Sequence, residues 1–284
     1  MSFTTRFAPS PTGPLHLGHA YSAKRGFDLA QAVRGRFLLR IEDIDRSRAR
    51  AAWEEQIYDD LAWLGLTWEQ PVMRQSERMT VYEAALDALW AGGLLYPCGC
   101  SRADIAAATS APQEGAPLLG LDRVVYPGTC RPLAAPTGLR PTDVPLRLDM
   151  AKACSLIKLP LHFTEEGRGN PKTISFDTAD MVASVGDIVL SRRDMGTSYH
   201  LSVVLDDAAQ DITHVVRGRD LFDATRIHIV LQHLLGLPHP IYHHHRLIRD
   251  EDGKRLAKRD NARAISKYRA DGMSKIEVHY VLGI

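Results

Sequence analysis

The chain has 284 residues, 45% of them hydrophobic and 24% charged, with a formal net charge of +1. That size holds one large domain or a large and a small one, and a balance so close to neutral excludes a broadly basic surface, so any nucleic acid must be met by a local patch. Four cysteines argue against a disulfide framework, and the lack of an apolar run of about 18 residues or of a leader pattern predicts no membrane span, no signal peptide and a cytoplasmic location.

A short apolar lead-in, Phe3 to Ala8, runs into Pro9, Pro11, Gly13 and Pro14, and a helical pattern then extends from about Gly18 to Val33. Strand, rigid turn and helix start in that order suit an anion site, because unpaired N–H groups and the positive end of the helix dipole point above the turn. His16 and His19 fall on one face of the helix mouth and can donate to phosphate oxygens. Gly18 lets a flat ring lie close against the backbone. Gly35 stops the helix, and Arg36 to Ile41 reads as a buried parallel strand ending in Glu42-Asp43-Ile44-Asp45. Such a βαβ unit binds ligands at the carboxyl ends of its strands, which puts the Pro-rich turn and Glu42 at one edge. Asp43 and Asp45 read as caps or surface groups, whereas Glu42 directly ends a buried strand. Arg46, Arg48 and Arg50 are a candidate basic patch or simply solvated charge.

Ser47 to Leu64 is expected to be helical, with Trp53, Ile57, Leu61 and Leu64 as its buried stripe, and Trp53 and Trp63 are given no function. A second helix covers Val81 to Trp90. Then come Tyr96-Pro97-Cys98-Gly99-Cys100, a loop of small residues from Ala106 to Ala116, and Tyr126 to Cys130. Three thiolates leave one tetrahedral position open and Tyr126 is an unusual ligand, so the cluster reads either as zinc or as three reduced cysteines. Cys154 sits in an apolar run and reads as core. Pro145 to Asp149, Ser155 to Phe163 and Thr173 to Phe176 look like strands of an inserted antiparallel module.

From Val185 the chain returns to strand, helix, strand and helix, ending in an amphipathic helix that closes at Leu235. His243, His244 and His245 alternate faces on a strand and cannot converge on one ion. The run Asp252 to Arg259 is a short basic loop, either solvated surface or a loop that closes on phosphates, within an Arg/Lys-dense stretch from Arg246 to Arg269. Gly272-Met273-Ser274-Lys275 lies at a helix start, with Ser274 as N-cap.

Several of these stretches carry a family likeness. His16-Leu17-Gly18-His19 resembles the "HIGH" signature of class I aminoacyl-tRNA synthetases, and Arg6-Phe7-Ala8-Pro9-Ser10-Pro11-Thr12-Gly13 is similar to their glutamyl and glutaminyl branch. Asp252 to Arg259 resembles the "KMSKS" loop, with Ala257 in place of a serine. Tyr199-His200-Leu201 and His214-Val215-Val216-Arg217-Gly218 resemble segments lining the amino-acid pocket. The resemblance implies an α/β fold, a class I synthetase Rossmann-like parallel sheet with an inserted zinc-binding, antiparallel module and a short C-terminal helical tail. The expected divisions are 1–97 and 185–250 for the two catalytic halves, 98–184 for the inserted zinc-binding and acceptor-type module, and 251–284 for the ATP loop and terminal helices.

By the same resemblance, L-glutamate is held by Arg6, Phe7, Ala8, Pro9, Ser10, Glu42, Tyr199 and Arg217, with Glu42 taking the amino group. ATP with its Mg²⁺ is held by His16, Gly18, His19, Arg255 and Lys258, and His16, His19 and Lys258 are the catalytic residues. The physics agrees: a glutamate side chain needs a cation, ideally the planar fork of an arginine, and its ammonium needs a carboxylate. Arg6 and Arg217 are both candidates for the fork. Cys98, Cys100, Tyr126 and Cys130 resemble the site of the glutamyl-queuosine tRNA(Asp) synthetases, which implies one structural zinc, although the loop between the two halves is longer and richer in Ala and Pro.

The implied activity is ATP-dependent formation of glutamyl-adenylate. The chain ends about 25 residues past its ATP loop, where glutamyl-tRNA synthetases continue into anticodon-binding domains. The expected acceptor is therefore the queuosine base at the wobble position of tRNA(Asp), served by a monomer with no membrane contact. RNA-binding proteins commonly read loops whose bases are splayed, which suits an anticodon loop brought to the site. Rival readings are a fragment of an ordinary glutamyl-tRNA synthetase, a small-molecule ligase of the pantothenate synthetase type, and a zinc-bearing RNA-binding module that leaves both ATP signatures unexplained.

Overall fold

The computed structural model describes residues 2–101, 103–105, 125–167, 169–248 and 263–284. Strand β1 (Thr4–Phe7), helix α1 (Leu17–Ala32) and strand β2 (Arg36–Ile41) form the first βαβ unit, with Thr4 opposite Arg36 and Phe7 opposite Leu39 in parallel register. The turn into β2 requires a glycine, since a Cβ at Gly35 would lie 2.5 Å from the Phe3 carbonyl oxygen. Residues 37–41 are all buried, which explains the unbroken apolar run. Arg40, fully buried in that run, is the exception and is answered by carboxylates at the site described below.

Helix α2 (Ala51–Trp63) begins four residues later than the expected Ser47. Asp45 is the reason: its carbonyl accepts from Arg48 and Ala49 N–H while its carboxylate takes the Ser47 hydroxyl and the Arg48 side chain, closing a separate turn first. Ile57, Leu61 and Leu64 are buried as expected, and Trp53 is only half-buried. Strand β3 (Met73–Arg74) adds to β2 in parallel. Helix α3 (Met79–Ala91) leads to β4 (Leu95–Pro97), which pairs antiparallel with β5 (Leu146–Leu148).

The inserted region departs from expectation. Ser155 lies in a helix, α4 (Met150–Leu156), started by the Asp149 side chain accepting from Lys152 N–H, and the strand begins only at Leu161. That strand, β6 (Leu161–Glu165), and its antiparallel neighbour β7 (Lys172–Phe176) do not stay in a separate module. They join the parallel pair of the second half, in the order β7, β6, β10, β9, where β9 (His214–Gly218) and β10 (Ile241–His245) are parallel. The cause is apolar: Leu161 and Phe163 need a buried face, and Phe163 packs its ring 5.5 Å from Tyr242 of β10. Strand β8 (Val189–Ser191) instead completes the small antiparallel sheet with β5.

Helix α5 (Tyr199–Ala209) is capped by Ser198, and α6 (Ala224–Leu235) follows β9. The two parallel groups meet where Thr213 N–H donates to the Thr4 carbonyl at 3.0 Å, setting β9 beside β1. The terminal helices α7 (Ile265–Ala270) and α8 (Lys275–Leu282) bury Ile265, Val278 and Leu282 in the same core as Leu15, Leu17 and Leu61. Ser274 caps α8 through a reciprocal exchange with Glu277, as its sequence predicts. The described arginines of the basic tail serve the fold: Arg246 donates to the Leu282 carbonyl, Arg263 pairs with Asp271, and Arg269 pairs with Asp59. Among the described residues, no helix is long and apolar enough to cross a membrane.

One core group makes stability depend on pH. Asp60 is 1% exposed, and neither carboxylate oxygen has a hydrogen-bond partner among the described residues. Burial, with Asp59 adding repulsion, pushes its carboxyl up to about 7. The folded chain therefore keeps a proton that the unfolded chain sheds near pH 4, so stability falls as pH rises from about 4 to about 7 and then levels. Asp60→Asn is expected to raise the melting temperature by about 5 °C at pH 8 and to leave it nearly unchanged at pH 4.5. An equal gain at both pH values would show that the proton plays no part.

Candidate active site

The carboxyl ends of β1, β2, β9 and β10 and the N-termini of α1 and α5 open on one cavity of about 530 Å³. Its wall brings together every described residue expected to hold glutamate or ATP. Arg6 and Phe7 end β1, and Ala8, Pro9 and Ser10 form the turn. His16, Gly18 and His19 come from the start of α1, Glu42 from the end of β2, Tyr199 from α5 and Arg217 from β9. Arg255 and Lys258, like the loop from Ala106 to Ala116, lie outside the described residues.

The histidine signature builds its own geometry. Gly18 N–H donates to His16 Nδ1 at 3.1 Å, and His16 N–H donates to His19 Nδ1 at 3.1 Å. Both Nδ1 atoms are thereby acceptors, so each neutral ring carries its proton on Nε2. The rings lie 3.8 Å apart. Gly18 gives the His16 ring room, because a Cβ there would stand a tight 3.0 Å from it. A ligand ring was the expected neighbour, and the structure adds this internal one.

Beneath the turn lies a buried charge network. Arg6 donates from Nε and one Nη to the two oxygens of Asp207, at 2.9 and 3.1 Å. Arg40 donates to Asp207 at 2.7 Å and to Glu42 at 3.2 Å. Burial opposes the Arg40 charge, but Asp207, Glu42 and Asp206 outweigh it and hold its pKa above the ordinary arginine value. Burial raises the Glu42 carboxyl above its usual range despite Arg40 and Arg6. A ligand ammonium beside Glu42 would favour its charged form.

The two candidate forks differ in the donors already engaged. Arg6 uses two of its five N–H donors on Asp207, leaving an Nη1 and Nη2 edge for a second carboxylate. Arg217 is held by four neutral acceptors, His244, His228, Thr225 and the Leu221 carbonyl, which leaves one donor on Nη1. Asp207, Arg40 and His228 were not singled out from the sequence. Two adjacent aspartates on the otherwise apolar face of α5 were the available signal. His245, Leu247 and Ile248 also line the cavity. The three consecutive histidines diverge, His243 toward Arg25, His244 toward Arg217, and His245 edge-on to Tyr21.

Away from the cavity, the Sγ atoms of Cys98, Cys100 and Cys130 lie within 4.8 Å of one another, an arrangement that could hold a metal ion. Tetrahedral zinc at about 2.3 Å from each sulfur spaces its ligands about 3.8 Å apart. Cys100 and Cys130 sulfurs are 3.3 Å apart, and Tyr126 Oη stands 3.4 Å from the sulfurs of both Cys98 and Cys100. The Tyr126 hydroxyl also holds the Cys130 thiol down at about 7. Arg147 lies 3.7 Å over the Tyr126 ring and donates to Cys98 Sγ at 3.2 Å. The donor set therefore fits zinc in both type and spacing.

Comparison with known proteins agrees with this geometry. The family model for the catalytic domain of class I tRNA synthetases (E and Q) matches residues 2–118 and 170–282. A glutamyl-Q tRNA(Asp) synthetase from Rhodobacter capsulatus is 58% identical, over 99% of this chain and 99% of its own length. One from Geobacter sulfurreducens is 40% identical, over 92% of this chain and 77% of its own length. Among solved structures, a glutamate tRNA ligase from Elizabethkingia meningosepticum in complex with its amino acid superposes with a TM-score of 0.69 at 26% identity. That match covers 92% of this chain, which spans 53% of the length of that protein.

Proposed function

The chain belongs to the class I tRNA synthetases of the glutamate and glutamine type, among the glutamyl-Q tRNA(Asp) synthetases, and from that premise we propose that it activates L-glutamate with ATP and passes the glutamyl group to the queuosine base of tRNA(Asp). The observation that carries this reading is a single cavity whose lining sets the His16 and His19 signature beside two arginines and a carboxylate, the charges that an amino acid with an acidic side chain calls for.

In this reading Glu42, held from behind by Arg40, takes the substrate ammonium, and the outer edge of Arg6 together with the remaining Nη1–H of Arg217 takes the side-chain carboxylate. Phe7, Ala8, Pro9, Ser10 and Tyr199 shape the pocket around them, and Arg217 adds positive charge with one N–H. Glutamine is rejected because a neutral amide would leave buried guanidinium charge unpaired.

ATP enters with Mg²⁺ on its phosphates, over His16, Gly18 and His19. The glutamate α-carboxylate attacks the α-phosphorus, a new P–O bond forms, and the bond to pyrophosphate breaks. His16 and His19 present Nε2–H donors to the phosphates, and Arg255 and Lys258 are assigned to the leaving pyrophosphate. No protein nucleophile is needed. A queuosine hydroxyl then attacks the glutamyl carbonyl, and AMP leaves.

Cys98, Cys100, Cys130 and Tyr126 would hold one zinc ion. When bound, it would cross-link the two segments that carry them and take no part in the reaction. Arg46, Arg48 and Arg50 offer phosphate contacts beside the cavity, since Arg50 N–H donates to the Pro11 carbonyl of the turn.

The test uses the unaltered enzyme. Pyrophosphate exchange should depend on glutamate and proceed without tRNA. Labelled glutamate should then enter queuosine-containing tRNA(Asp) whose CCA end has been removed, and nucleoside mass analysis should recover glutamyl-queuosine. Transfer that is lost with the CCA end, or efficient charging of tRNA(Glu), would overturn the proposed acceptor.

A further inference from the structure

Resting on the reading of the pocket as a glutamate site, we propose that Glu165 and His244 are positioning residues that lock the direction of Arg217, and through it the preference for a carboxylate side chain over an amide. Glu165 is the last residue of β6, the strand that joins β10 from the inserted region. It is 8% exposed, and His244 is 2% exposed.

The lock follows from donor and acceptor roles. Glu165 Oε1 accepts the main-chain N–H groups of His244 at 3.0 Å and Gly167 at 2.8 Å. Its Oε2 lies 2.5 Å from His244 Nδ1. Hydrogen bonds from His244 outweigh burial and keep the Glu165 carboxyl below its usual range, so it is an acceptor at every contact. Nδ1 of His244 must therefore carry the proton, which leaves a lone pair on Nε2. Arg217 Nε–H, which can only donate, points at that lone pair from 3.1 Å.

The far side of the guanidinium is fixed in the same way. Arg217 Nη1 donates to His228 Nδ1 at 3.2 Å, and Nη2 donates to the Thr225 hydroxyl at 2.8 Å and the Leu221 carbonyl at 3.1 Å. His228 must then carry its proton on Nε2, where His200 Nδ1 stands 3.2 Å away. Among the described residues, no carboxylate pairs directly with Arg217. Its counter-charge sits one imidazole away. A glutamate side chain placed against Arg217 would satisfy its charge and end on the guanidinium, leaving little field for a substrate. With a neutral ring between them, the carboxylate sets the orientation while the positive charge stays available to the ligand.

Glutamine at position 165 cannot repeat this pattern. One carbonyl cannot accept from both backbone N–H groups and from Nδ1–H, so the amide NH₂ must face one of these sets of donors. Facing Nδ1, it would move the imidazole proton to Nε2 and set that N–H against Arg217 Nε–H. The guanidinium would have to turn away.

Nitrogen-15 NMR of histidine in the unaltered protein, with no substrate present, should show the Nδ1–H tautomer for His244. Glu165→Gln should switch it, and in pyrophosphate exchange should raise KM for glutamate about 10- to 100-fold and narrow the preference for glutamate over glutamine. KM for ATP should stay within about twofold, since the ATP signature does not touch this couple. An Nε2–H tautomer in the unaltered protein, an unchanged KM for glutamate in the variant, or an equal rise in KM for ATP would each overturn the proposal. Absence of glutamate-dependent exchange in the unaltered enzyme would instead overturn the parent reading, and the substrate-free tautomer tells the two failures apart.

Discussion

Arg6→Lys is expected to lower kcat/KM for glutamate in pyrophosphate exchange by about 10³-fold, a loss of about 4 kcal/mol in transition-state stabilisation. In the proposed pocket Arg6 would perform two tasks at once. Its Nε and one Nη hold Asp207, and its outer edge remains for the substrate carboxylate. Lysine keeps the charge but not the planar fork, so it can serve one carboxylate well or two poorly. The fold should survive, because Arg40 still pairs with Asp207 at 2.7 Å and the buried carboxylate is not orphaned. Steady-state exchange at varied glutamate, with circular dichroism to confirm folding, reads the result. A loss smaller than tenfold in a folded variant would mean that Arg217 carries the side-chain carboxylate instead.

Cys98→Ser should reduce the zinc content from about one ion per chain to almost none and cost several kcal/mol of stability, since metal binding to a structural thiolate site is folding free energy. Cys98 is 2% exposed and stands at the centre of its module: Tyr126 and Arg147 both reach its sulfur, and Cys98 N–H donates to the Pro145 carbonyl at 2.9 Å. Losing that thiolate releases the 96–100 strand end from the 126–130 turn. Cys154→Ser is the control, because Cys154 packs in the main core, outside the cysteine cluster, and should keep its zinc. Elemental analysis and thermal melts of both variants decide the matter. Zinc retained by Cys98→Ser would place the metal elsewhere.

What the sequence by itself determined was local or marked by fixed spacing. Gly35 and the unbroken run from Phe37 to Leu39 announce a helix stop and a strand buried on both faces, because each signal acts within a few residues. The end of that strand placed Glu42 at the edge of the sheet where ligands bind. Ser274 announces its helix for the same short-range reason, the histidine signature carries its chemistry in adjacent residues, and the cysteines announce theirs by residue type and spacing. Tertiary structure decided what depends on partners far along the chain. Asp207 lies 201 residues from Arg6, and nothing local shows that it holds one side of that guanidinium. The strand from Leu161 alternates like a member of any antiparallel module. It joins the parallel pair of the second half because Tyr242 offers Phe163 a buried face, and only that pairing brings Glu165 to His244. An apolar face specifies that it will be covered, and the three-dimensional packing alone chooses by what.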